Sequence, residues 1–215
     1  MPRFLITNDD SIYAEGIHDL IRFAAPHGEL FIVAPDIQKS ACSHAMSIST
    51  PLRVKELEIL GHQAFAVNGT PADCAKLAMN ALLNDKPDLV LSGINHGSNA
   101  GINAVYSGTV AGAVEGAIVG IPSMAVSCTS YDADADRSGI QEALDKLIPW
   151  LLEQPPTRGV TLNLNAPAGP LKELKWTHQA HSYYEERFEK RKDPFGQDYY
   201  WVSGELINED EDPDS

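Results

Sequence analysis

Apolar residues fall along this chain in short runs separated by polar, turn-forming stretches, and the period of the pattern changes from run to run. Strand-like runs occupy 3–7, 29–34, 64–67, 88–92, 122–128 and 160–164. Between them, helical periodicity marks 14–25, 71–83, 109–120 and 138–153. Strands that alternate with helices in this way predict an α/β domain, doubly wound, with a mostly parallel Rossmann-like sheet. Residues 46–60, with Pro51 between two β-prone runs, read as a hairpin inserted into the alternation. No internal repeat interrupts it.

The style changes after residue 166. Ala166-Pro167-Ala168-Gly169-Pro170 reads as a linker, and the segments beyond it are strand-like. Asp193-Pro194-Phe195-Gly196 fits a type I turn between arms at 183–192 and 197–202, the second of which carries Tyr199, Tyr200 and Trp201. An arm with such sticky faces predicts packing on a neighbour, here another subunit. The expected organisation is an α/β core over 1–166, a β-rich C-terminal extension with a hairpin over 167–204, and an acidic, disordered tail over 205–215. That tail holds Glu205, Glu209, Asp210, Glu211, Asp212 and Asp214 without a Lys or Arg.

Composition narrows the function classes. The formal net charge of −14 argues against a nucleic-acid groove or an anionic membrane surface. No run approaches the roughly 18 apolar residues of a membrane span, and the start of the chain does not read as a signal peptide, so a cytoplasmic location is expected. Cys42, Cys74 and Cys128 are odd in number and widely spaced, which fits plain thiols in a reducing compartment better than disulfides or a zinc site.

Candidate chemistry collects at the ends of the strand runs. The first ends in Ile6-Thr7-Asn8-Asp9-Asp10. Carboxyl ends of strands in open α/β sheets are where ligands bind, and two adjacent carboxylates kept ionised there call for a cation. Capping of the next helix is the plainer use of such acids, but helical periodicity begins several residues later. The second strand opens into Ala34-Pro35-Asp36-Ile37-Gln38-Lys39-Ser40, where Ser40 offers a hard oxygen. Asn68-Gly69-Thr70-Pro71-Ala72-Asp73 reads as a helix start, with Thr70 as N-cap and Asp73 as the acid of a capping box.

The richest stretch runs from Asp88 through Ser92-Gly93-Ile94-Asn95-His96-Gly97-Ser98-Asn99 to Tyr106-Ser107-Gly108-Thr109. Asn95 offers an amide oxygen to a hard cation. Ser107-Gly108-Thr109 opens a helix whose free N–H groups and positive dipole end suit a phosphate; a glycine-rich connector with Thr109 as a plain N-cap explains the helix start but not the length and polarity of the loop. His96 would assist a leaving group, orient a carboxylate, or be a surface imidazole; His44 is read with the same reserve. Glu115, six residues into the helix, reads as a packing or hydrogen-bonding residue near the loop base. No nucleophile elbow, metalloprotease helix or Walker loop is present.

Together these segments resemble the SurE (survival protein E) family of metal-dependent nucleotidases of the stationary-phase stress response. The matching motifs are Thr7-Asn8-Asp9-Asp10, Ala34-Pro35-Asp36 with Ser40, Gly69-Thr70-Pro71-Ala72-Asp73-Cys74, Ser92-Gly93-Ile94-Asn95-His96-Gly97 with Asn99, and Tyr106-Ser107-Gly108-Thr109-Val110. They occur in order across nearly the whole chain. The resemblance implies metal ligands at Asp9, Asp10, Ser40 and Asn95 for one Mg²⁺ or Mn²⁺ per subunit. It implies hydrolysis of nucleoside 5′- and 3′-monophosphates, with short polyphosphate as a further substrate of some members. Phosphate would be held by Ser107, Gly108 and Thr109 with Asn99, and Asp9 or Asp10 would orient the attacking water. Homodimers or homotetramers with exchanged C-terminal elements are also implied.

Three departures stand out. Ser11 occupies the place of the family's usual Gly, and Ser40-Ala41-Cys42 replaces a common Ser-Gly-Ala. The family also commonly continues past the acidic segment into another strand and a helix, so the chain ending at Ser215 is expected to be shortened, with consequences for assembly more than for chemistry. Two rival readings remain at this point. One is a nucleotide sensor without turnover. The other is a nucleotide-binding α/β domain of unrelated chemistry, which would carry a Gly-x-Gly-x-x-Gly that is absent.

Overall fold

A computed structural model describes residues 1–132 and 134–210. Among them, seven strands form one sheet in the order β3-β4-β2-β1-β5-β6-β7. These are β1 (Arg3–Thr7), β2 (Glu29–Pro35), β3 (Val54–Ile59), β4 (His62–Val67), β5 (Leu89–His96), β6 (Ser123–Cys128) and β7 (Leu162–Ala166). Every neighbouring pair is parallel except β3–β4. The doubly wound, mostly parallel sheet expected from the alternation is present.

Alternate residues of the central strands feed two cores. Phe4 and Ile6 of β1 join one, with Ile17, Leu20 and Ile21 of α1 (Glu15–Ala24) and Ile140, Leu144 and Ile148 of α5 (Ser138–Glu153). Leu5 joins the other, with Cys74 and Ala75 of α2 (Pro71–Leu77). The period of two along each strand is what allows helices to cover both faces. The short α3 (Asn103–Tyr106) leads into α4 (Gly108–Ile118), which packs beside α2 over β5 and β6.

Several boundaries shift for local reasons. The expected helix 71–83 is regular only through Leu77 and continues to Leu82 as a wider π-type turn. The hairpin expected over 46–60 is instead β3–β4, turned at Leu60 and Gly61, whose positive φ of 51° and 81° suit a tight hairpin. Residues 46–53, with Pro51, stay irregular. β5 runs four residues past its expected end, because an irregularity between Ser92 and Asn95 carries its pairing with β6 on to His96.

The compact unit holding the sheet comprises residues 1–99 and 103–174, eight residues beyond the expected core boundary of 166. A second unit, 100–102 with 175–215, contains the antiparallel hairpin of β8 (Ser182–Lys192) and β9 (Asp198–Asn208), turned at Asp193–Gly196 as expected. β9 continues through Glu205, so the acidic tail does not begin there: Leu206 and Ile207 pair with Tyr184 and Tyr183 and keep the ladder intact. Residues 211–215 of the expected tail lie outside the described residues. Among those described, no helix is long and apolar enough to cross a membrane.

Gly16 of α1 lies against β5, the strand that carries Asn95: a Cβ there would fall 2.1 Å from the Ile94 carbonyl oxygen. Gly16→Val should therefore force α1 away from β5. The expected cost is about 1–3 kcal/mol of stability, read as a lower urea midpoint with an unchanged m-value. Unfolding at the wild-type midpoint would contradict this close approach.

Candidate active site

The order β2-β1-β5 makes β1 the place where the chain's crossovers reverse direction, and the loops after these three strands open there. The loop after β1 carries Asp9 and Asp10 and the loop after β2 carries Ser40, while Asn95 sits on β5 itself, one residue before its end. Asp9 is buried, at 3 % exposure. One of its oxygens accepts a hydrogen bond from the Thr109 hydroxyl. The same hydroxyl stands 3.4 Å from the amide oxygen of Asn95. The Asn95 amide nitrogen donates to the Gly97 carbonyl at 2.9 Å, which leaves its oxygen on the side of Thr109 and Asp9.

Asp10 anchors a second group. Gln38 Nε2 lies 3.4 Å from one Asp10 oxygen and donates to Ser40 Oγ at 2.8 Å, so a single side chain ties the first loop to the second. The other Asp10 oxygen faces His96 Nδ1 at 3.3 Å and the His96 backbone N–H at 3.4 Å. The second-strand loop is also tied to Asp9 by its backbone, since Lys39 N–H donates to the Asp9 carbonyl at 2.6 Å. Neither acid caps α1, whose N-cap is Ala14 with no side-chain bond.

α4 begins on top of this arrangement. Its N-cap is Ser107, whose hydroxyl accepts from Val110 N–H at 3.0 Å. Thr109 is therefore not the cap; its side chain is spent on Asp9. Gly108 allows a close approach here: a Cβ would stand 2.8 Å from Cys42 Sγ and 3.0 Å from Asp9 Cβ, so those side chains would have to shift to admit one. Asn99 is held elsewhere. Its amide nitrogen donates to Ser127 Oγ at 2.8 Å, and its backbone is fixed by Asn165 and Asn163 of β7. It stays at the carboxyl ends of the strands, with its hydrogen bonds committed to β6 and β7.

The flanking segments are braced. Glu115, buried on α4, receives Lys76 Nζ at 2.8 Å and faces His44 Nε2 at 2.6 Å, which fastens the 43–47 segment. The expected capping box at Thr70 and Asp73 is complete, and Asp73 also accepts from Ser47 N–H. Burial pushes the Cys42 and Cys74 thiols up, and all three cysteines are free. Ser11 adopts a φ of +93°, the left-handed region where glycine is at ease, which accounts for the glycine usual at that place.

Electrostatics single out Asp9. Burial pushes its carboxyl up to about 6, opposed by the Thr109 hydrogen bond and reinforced by the charge of Asp10. The donor set fits a hard divalent cation: two carboxylates, an amide oxygen and a hydroxyl, all oxygens. Among the described residues no group of three or more His, Cys, Asp or Glu side chains is placed to hold a metal ion. A cation here would rest on two acids and neutral oxygens. Gln38 and Arg137 were missed by reading the sequence. Gln38 could have been found from its place two residues before Ser40. Arg137, which reaches His96 from 41 positions away, leaves no local signal.

An open α/β protein with an acidic, glycine-lined crevice at its topological switch point is the class this geometry defines. The family model of Survival protein SurE matches residues 4–186, and the chain belongs to the SurE family. A 5′-nucleotidase SurE of Cytophaga hutchinsonii is 42 % identical over 219 residues, covering 100 % of this chain and 85 % of the relative. That of Parasynechococcus marenigrum is 44 % identical over 217 residues, covering 96 % and 80 %. The crystal structure of the SurE protein from Aquifex aeolicus superposes with a TM-score of 0.84 at 34 % identity, covering 100 % of this chain and 87 % of that one.

The raised Asp9 carboxyl has a consequence for the metal-free chain. The native state binds this proton up to about pH 6, whereas the unfolded chain releases it near 3.8. Its contribution to stability is thus greatest below 3.8 and is lost as pH rises through 6. The loss at pH 7 is on the order of 1–3 kcal/mol. In EDTA, Asp9→Asn should raise the melting temperature at pH 7.5 and leave it nearly unchanged at pH 4. A lower melting temperature at pH 7.5 would contradict this.

Proposed function

We infer that this chain is a divalent-metal-dependent phosphomonoesterase, a 5′-nucleotidase that hydrolyses nucleoside monophosphates to nucleoside and phosphate. The observation that carries the reading is the convergence of a buried carboxylate, Asp9, with Asp10, Asn95 and the start of α4 at the switch point of the sheet. The relatives, named 5′-nucleotidase SurE, support the nucleotidase activity. Nucleoside 3′-monophosphates and short polyphosphate are the proposed further substrates.

Asp9, Asp10, Ser40 and Asn95 would hold one Mg²⁺ or Mn²⁺. Bound there, the ion supplies a Lewis acid for the phosphoryl oxygens and for the attacking water. The chain's own groups do the rest. Thr109 fixes the rotamer of Asp9 through its hydroxyl. Gly108 lets the phosphate approach the α4 backbone, whose N–H groups and dipole favour an anion. Ser107 and Thr109 at the same helix start are proposed to hold it, with Asn99, anchored to β6 and β7, as a further proposed contact. Asp9 or Asp10 is proposed to orient the attacking water.

Chains with free thiols acting on nucleotides fit the cytoplasm. The hairpin exposes Phe188, Tyr200 and Val202 on one face and Trp201 on the other, two faces suited to a second copy of the chain in a homodimer or homotetramer.

Phosphate release from a panel of nucleoside monophosphates, with Mg²⁺, Mn²⁺ or EDTA, tests the reading. Turnover should require the metal and fall at least about 10³-fold in Asp9→Asn, in line with losing a ligand and a charged group in one change. Nucleotide binding without turnover in any metal would favour a sensor instead. Sedimentation of wild type and Phe188→Ser/Trp201→Ser should show an oligomer that the double variant dissociates; equal masses would refute the hairpin's role in assembly.

A further inference from the structure

Asp10 lies at the end of a chain of side chains that begins far away in sequence. Arg137, at the N-cap of α5, has a side chain only 5 % exposed. Its Nη1 pairs with Asp19 of α1 at 3.0 Å, and its Nη2 lies 2.8 Å from His96 Nε2. His96 Nδ1 in turn faces Asp10 Oδ2 at 3.3 Å. A guanidinium only donates, so Nε2 of His96 must accept, and the ring proton sits on Nδ1, directed at Asp10. His96 is thereby occupied at both nitrogens. Its placement fits orienting a carboxylate and not protonating a leaving group.

We propose that Arg137 is a positioning residue of the cation site, acting through His96 to hold Asp10 in the orientation that binds the metal. The proposal rests on Asp10 being a ligand of that site. Asp19 fixes one edge of the guanidinium to α1, so that the other edge keeps the imidazole ring in one plane. Gln38 holds the opposite oxygen of Asp10, and the carboxylate is braced from both sides. Hydrogen-bonding partners of metal ligands of this kind commonly carry ten- to hundredfold effects on metal affinity.

A plain charge effect makes the opposite prediction. Removing a buried positive group near a cation site should tighten cation binding by relieving repulsion. Loss of positioning should weaken it. The sign alone separates the two.

The test is Mn²⁺ binding to the full chain without substrate, followed by the spin-resonance signal of free Mn²⁺. Arg137→Met should weaken binding about ten- to hundredfold, and His96→Ala by a similar factor. The Arg137→Met/His96→Ala pair should bind no more weakly than the worse single variant, because both act along one path. Arg137→Lys, which can still donate to Nε2, should recover part of the loss. If Arg137→Met does not fold because Asp19 is left with Arg22 as its remaining partner, Arg137→Met/Asp19→Asn removes both charges of the broken pair and should show the same loss. Unchanged or tighter binding in a folded Arg137 variant, or losses that multiply in the pair with His96→Ala, would overturn the proposal. Wild-type affinity in Asp10→Asn would instead overturn the cation reading beneath it, and the proposal with it.

Discussion

A carboxylate buried at the end of the central strand, with a second carboxylate beside it in sequence, is the constraint around which the rest of this site is arranged. Asp9 is almost wholly withdrawn from water, and its neighbour repels any charge it carries. A charged carboxylate in such a place must be compensated by hydrogen bonds, dipoles or a cation. The chain supplies the first two in part. The Thr109 hydroxyl and the N-terminus of α4 are turned toward Asp9, yet its carboxyl still rises to about 6. The remaining deficit is what a divalent cation would fill.

The fold concentrates these groups because β1 lies at the middle of the sheet, with β2 on one side and β5 on the other. Loops leaving three adjacent parallel strands at the same end are brought together without any long-range design beyond strand order. Finer adjustments then set the angles. The irregularity between Ser92 and Asn95 aims the Asn95 side chain, and Gln38 bridges Ser40 to Asp10. Gly108 lets α4 start close against Asp9.

Much of this was legible along the chain, for stated reasons. Buried parallel strands read as continuous apolar runs, so β1, β2 and β6 stood out. Capping chemistry at Thr70-Pro71-Ala72-Asp73 is local and was recovered in full. What hid was non-local. The true first arm of the inserted hairpin is set by the positive φ of Leu60 and Gly61, not by Pro51. Ser107, not Thr109, caps α4, because Thr109 is drawn to a carboxylate 100 residues away. Asn99, expected at the phosphate, is anchored to Ser127, and the link from Arg137 through His96 has no counterpart in any spacing. The strand through Glu205–Asn208 was masked by the acidic composition around it, which says nothing of Tyr183 and Tyr184 across the ladder.

The most direct test of the account is the number of protons released when Mn²⁺ binds, measured by titration calorimetry at several pH values in buffers of different ionisation enthalpy. A buried Asp9 that titrates near 6 must give up its proton to bind a cation. The account predicts release of about half a proton per Mn²⁺ at pH 6, falling toward zero by pH 8. Binding with no proton release at pH 6, or no binding at all, would contradict the claim that this carboxylate is built to meet a cation.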